Sequence, residues 1–158
     1  MKIKISFLNN LLFLLLILLP LQTRYIVARA SLGTGTSEYG TISLYATEAL
    51  LWLVFALFFF AGRIKIPKDG AGKRFALLLL AFILYSFFGI FVNPSYVRGF
   101  FVWLRLAEGA MLFALIAWGG VKNKWLAYSF IWGAIMQAAI GIVQFSIQGI
   151  SPSTLLGI

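Results

Sequence analysis

The chain has 158 residues, 62% of them hydrophobic and 11% charged, with a formal net charge of +9 and a mean hydropathy of +0.99. Soluble domains are about 45–50% apolar and about 25% charged, so this composition excludes an ordinary soluble domain. The basic balance does not point to nucleic acid: the cations stand in short clusters between long apolar runs, and no basic helix or aromatic-basic groove is present.

Cysteine and histidine are both absent. Disulfides, thiolate metal sites and imidazole acid-base chemistry are thereby excluded. The length fits a single domain. An outer-membrane barrel would show alternating segments of about 10 residues, whereas these apolar runs suit helices. The expectation is an all-α, polytopic helix bundle of about five transmembrane helices.

The first span covers residues 5–21 and is dominated by leucine, with Lys2 and Lys4 ahead of it. This is also the shape of a signal peptide, with Ala28-Arg29-Ala30 as a cleavage site, but the long apolar run and the distant site favour an uncleaved helix. Residues 22–40 are more polar, and the Gly, Ser and Thr of 33–37 predict a flexible external loop. The second span covers 42–61, ends at Gly62, and is followed by Arg63, Lys65, Lys68, Lys73 and Arg74. Pro67-Lys68-Asp69-Gly70 is a turn signal. The third span covers 75–92 and stops at Asn93-Pro94. The fourth covers 97–118 and stops at Gly119-Gly120, with Lys122 and Lys124 after it. The fifth covers 125–147, and a Gly/Ser/Pro-containing tail follows.

Charge orients the bundle. With the N-terminus in the cytoplasm, Lys2, Lys4, Arg63, Lys65, Lys68, Lys73, Arg74, Lys122 and Lys124 fall inside, and only Arg24, Arg29 and Arg98 fall outside. The opposite orientation inverts the positive-inside bias.

Three ionisable residues stand within spans: Glu48, Arg105 and Glu108. Insertion scales put such charges at about 2.5–3.5 kcal/mol at a helix centre, so they are expected to face protein or a water-filled cavity. At 1.5 Å per residue, Glu48 lies roughly 9 Å and Arg105 roughly 12 Å from the outer helix ends, which permits an interhelical pair. Arg98, Arg105 and Glu108 share a sector of about 80° of the fourth helix. Two readings are open: a structural salt bridge, or an anion site in an outward-facing cavity, for which arginine's bidentate fork is suited. Arg24, Glu48, Arg98, Arg105 and Glu108 are the candidate substrate-binding residues. On the fifth helix, Gly133, Gln137, Gly141, Gln144 and Gln148 form a second small and polar stripe, suited to helix packing or to a cavity wall. No P-loop, dinucleotide fingerprint, nucleophile elbow or HExxH occurs.

Leu19-Pro20-Leu21-Gln22-Thr23-Arg24 closing the first helix, the stretch from Ile42 to Leu51 with Glu48, and Gly141-Ile142-Val143-Gln144-Phe145 with Gln148, Leu155, Leu156 and Gly157 resemble the O-antigen ligase and polymerase family. The resemblance implies a membrane glycosyltransferase at the outer face of the inner membrane. Such enzymes move a glycan from an undecaprenyl-pyrophosphate carrier and need no metal or nucleotide cofactor. The family's key arginines and histidine lie in or near a large external loop of the second half, which has no counterpart in this sequence. The expectation is therefore the N-terminal part of a longer protein, lacking C-terminal helices or a partner subunit, and no family catalytic residue maps onto it. Competing expectations are a transporter membrane subunit with Glu48 and Glu108 as proton or cation sites, and a non-enzymatic membrane scaffold.

Overall fold

A computed structural model of the chain describes residues 5–20, 24–32, 35–66, 70–92 and 95–147. Among these there are five helices: α1 (Ile5–Leu18), α2 (Ala46–Phe60), α3 (Gly70–Val92), α4 (Tyr96–Trp118) and α5 (Asn123–Ile147). Between α1 and α2 the chain forms two antiparallel strands, β1 (Arg24–Leu32) and β2 (Gly35–Tyr45). Lys2, Lys4, Gly33, Pro67 to Asp69, Asn93-Pro94 and the tail after Ile147 lie outside the described residues.

The strands correct the expectation of a flexible loop around Leu32 to Ser37: Leu32 ends β1 and residues 35–37 begin β2, while Gly33 and Thr34 lie outside the described residues. The register runs from Arg24 opposite Tyr45 through Ile26 opposite Ser43 to Leu32 opposite Gly35, with irregularities on either side of Ala28. Tyr25, Ile26, Val27, Tyr39, Ile42 and Tyr45 are aromatic or β-branched and suit a pleated surface. The glycines and serines that suggest a loop are interspersed among these β-formers. The hairpin also shortens the second helix. β2 runs directly into α2 at Tyr45, whose backbone is still extended (φ −108°, ψ 141°), so α2 begins at Ala46 and not at residue 42.

Three helices, α3, α4 and α5, are long and apolar enough to cross a membrane. α1 and α2 have 14 and 15 residues. At 1.5 Å per residue each rises about 21–23 Å, short of a hydrocarbon core of about 30 Å.

The helices pack in the lateral order α5, α1, α2, α4, α3. The core lies where α1, α2 and α4 meet. Leu8, Leu12, Leu15 and Leu16 repeat at helical spacing on α1 and interlock with Leu51, Val54 and Phe58 of α2 and Leu115 of α4. Elsewhere large apolar side chains point outward, such as Leu78, Phe88 and Phe145. Such faces suit lipid, which solvates them as well as protein would.

Helix ends are closed locally. Gly62 adopts φ 62° after α2, with its N–H donating to Phe59 O at 2.9 Å and Arg63 N–H donating to Phe58 O at 2.9 Å. This Schellman arrangement satisfies the last carbonyls of the helix and turns the chain. Gly120, at φ 68°, also takes the left-handed region just after α4. Lys65 N–H then donates to Trp118 O at 3.0 Å, tying the C-terminal ends of α2 and α4 together. Phe75 meets Phe113, so α3 starts at this end too. The described cations Arg63, Lys65, Lys73, Arg74, Lys122 and Lys124 therefore gather at one end of the bundle, with Arg98 in the first turn of α4 at the opposite end.

Candidate functional site: an intramembrane Arg-Glu cluster beneath the hairpin

The start of α2 sits level with the middle of α4, because the hairpin takes up the residues that would otherwise extend α2. Glu48 thus lies in the first turn of its helix and not six residues in. A carboxylate there is favoured by the N-terminal end of the helix dipole. Arg105 and Glu108 lie about 14 and 18 Å along α4 from its start.

These three side chains meet. Arg105 Nη1 pairs with Glu48 Oε1 and lies 3.3 Å from Glu108 Oε2. Arg105 Nη2 donates to the backbone carbonyl of Ser43, and the guanidinium lies 4.9 Å from the Tyr45 ring centroid. Trp52 Nε1 donates to Glu108 Oε1 at 3.1 Å. Glu48 and Glu108 are buried, at 9% and 6% exposure. Glu48 Oε2 is buried with no hydrogen-bond partner among the described residues.

The reason for this convergence is backbone chemistry. Where a strand runs into a helix, as β2 does into α2, its carbonyls lie outside the helical ladder, and a carbonyl left unpaired in an apolar medium costs several kcal/mol. Arg105 supplies a donor to one of them, Ser43 O, and the two carboxylates offset its charge. The cluster borders a pocket of about 430 Å³ whose walls include Leu19, Tyr45, Thr47 and Gly109.

The guanidinium is thereby engaged on both Nη atoms. Its Nε–H and second Nη2 proton remain for a further ligand. Two carboxylates face one cation, so an added anion meets repulsion. A neutral, hydroxyl-rich group or a cation is compatible with the pocket. Among the described residues no group of three His, Cys, Asp or Glu side chains comes together.

Of the candidate residues, the fold brings Glu48, Arg105 and Glu108 into one cluster. Arg98 is exposed and does not line the pocket. Arg24 pairs through its backbone with Tyr45, and its side chain lies outside the described residues. Sequence reasoning missed Trp52, Ser43 and Tyr45. Trp52 had a usable signal, since it stands four residues after Glu48 on the same helix face. Ser43 and Tyr45 had none, because their roles depend on the hairpin.

The stripe on α5 divides. Gly133 is buried against α1, and a Cβ there would meet Ile17 O at 3.3 Å. Gln137 is exposed and Gly141 faces open space, while the Gln144 side chain and Gln148 lie outside the described residues.

Comparison with protein families, with curated proteins and with solved structures gave no match.

Proposed function

We propose that residues 1–158 form the N-terminal, five-span bundle of an O-antigen ligase-like glycosyltransferase of the inner membrane, with the basic end cytoplasmic. The observation that carries this reading is a coincidence of place. The stretch from Ile42 to Leu51, which resembles the family's second helix, supplies Tyr45, Thr47 and Glu48 to the pocket at the hairpin end of the bundle, and the Ser43 carbonyl that Arg105 bonds. In this reading the pocket takes part of the glycan, and Arg105 holds the hairpin in place over it. Contact with the pyrophosphate of an undecaprenyl-linked donor falls to Arg98 and Arg24 and to segments after Ile158.

Reading the gene past the codon for Ile158 and assaying its product test this directly. An open frame adding several spans and an external loop with Arg and His, whose product transfers glycan from an undecaprenyl-pyrophosphate donor in vesicles, is expected. A stop codon after Ile158 overturns it.

The charge balance of the cluster favours a second reading, a transporter subunit in which Glu48 and Glu108 bind a proton or cation. Proton uptake by vesicles carrying the protein, abolished by Glu108→Gln, would establish that reading in place of glycan transfer.

A further inference from the structure

A second cavity lies between α2, α3 and α4, about 550 Å³ in volume, at the other end of the bundle. This is within the range of about 300–1,000 Å³ usual for ligand sites. Its walls are apolar apart from Lys73. Small residues open it: Ala107, Ala110 and Ala114 repeat at helical spacing along α4, and Ala76 faces them from α3.

The cavity is a groove with one closed end. It begins at Lys73 and Trp118, where α3 starts and α4 stops, and reaches Ile83 and Ala107. Beyond that point Trp103 crosses from α4, donates its indole N–H to Ile83 O at 3.0 Å, and packs edge-on to Phe87 with centroids 5.2 Å apart. Phe100 flanks the same ring at 5.9 Å. From Lys73 to Ile83 the groove runs about 15 Å along α3, half of a hydrocarbon core of about 30 Å. A transmembrane helix of a partner would need a seat along the whole thickness. A groove that stops at mid-membrane matches a chain from one leaflet.

Its open end is basic. Arg63, Lys65, Lys73 and Arg74 are the described cations there. Of the described acids, Glu48 and Glu108 are held by Arg105 in the cluster near the hairpin, and Glu38 lies in β2. Lys73 is exposed at the groove mouth.

We infer that this groove binds one hydrocarbon chain of an anionic phospholipid from the leaflet at the basic end, with the lipid phosphate on Lys73. The apolar walls take the chain, the alanines make room for it, and the Trp103–Phe87 contact sets how far it enters. The site is separate from the polar pocket and does not depend on the glycosyltransferase reading.

The protein is placed in nanodiscs of equal phosphatidylglycerol and phosphatidylcholine, and lipids retained after release are counted by native mass spectrometry. Wild-type protein is expected to keep one lipid, with phosphatidylglycerol favoured by about fivefold, the ratio that one lysine near an anionic surface supplies. Lys73→Gln should remove the preference and Lys73→Arg should keep it. Ala110→Trp should remove the retained lipid altogether. Should Ala110→Trp fail to fold, the exposed Lys73 variants still decide. The inference is overturned if wild type retains no lipid, if Lys73→Gln keeps the preference, or if a second copy of the chain occupies the groove as a dimer that Ala110→Trp disrupts.

Discussion

Arg105 is a charge placed where charge is costly, and its surroundings explain why it is tolerated. It meets two buried carboxylates, a strand carbonyl and an aromatic face. Removing it leaves both carboxylates without their cation. Loss of one partner of a fully buried pair costs about 3–5 kcal/mol, and Arg105 should fall below that range because 37% of its side chain remains exposed. Arg105→Ala is expected to lower the melting temperature of the detergent-solubilised protein. Adding Glu48→Gln should restore part of the loss, since the neutral amide no longer needs the cation. If the double variant melts no higher than the single one, the charge account of the cluster is wrong.

At the scale of elements, the close approach of α1 and α5 rests on the missing side chain at Gly133. A Cβ there meets Ile17 O at 3.3 Å and Pro20 Cγ at 3.5 Å, tight enough that Ala needs a shift of a few tenths of an ångström. Gly133→Ala should therefore be tolerated. Gly133→Leu should push the helices apart and expose the Trp125–Phe13 edge contact, now 6.1 Å between centroids. The measurement is a disulfide cross-link between cysteines introduced at the α1–α5 contact, efficient in the wild-type background and lost in the Gly133→Leu background. The hairpin shows the other side of element formation. Its strands carry ordinary β-formers, yet what anchors it is Arg105, 62 positions along the chain from Ser43.

For the whole molecule, six described cations gather at one end, Arg98 stands in the first turn of α4 at the other, Arg105 lies between them in the cluster, and Arg24 and Arg29 belong to β1. The proposed orientation, which places the crowded end in the cytoplasm, rests on the positive-inside rule. The chain has no cysteine, so single introduced cysteines report topology without background. In intact cells a cysteine at Lys65 or Lys122 should be protected from an impermeant thiol reagent, and one at Arg98 should be labelled. Labelling at Lys65 with protection at Arg98 would invert the bundle.

The sequence by itself determined that this chain belongs in a membrane, that its helices lie near the runs observed, and that Glu48, Arg105 and Glu108 needed partners. Those properties follow from composition, from the 3.6-residue period and from the cost of charge in hydrocarbon, all of which are local. The ends of α3, α4 and α5 agree with expectation within five residues for the same reason. Only the tertiary structure decided that residues 24–32 and 35–45 pair as strands, that Glu48 lies in the first turn of its helix, and that Trp52, Ser43 and Tyr45 complete the Arg105 cluster. It also decided that Gly133, alone among the described members of its stripe, packs against α1. Each of these depends on which helices become neighbours and at what height, and that is set by side-chain packing across the bundle.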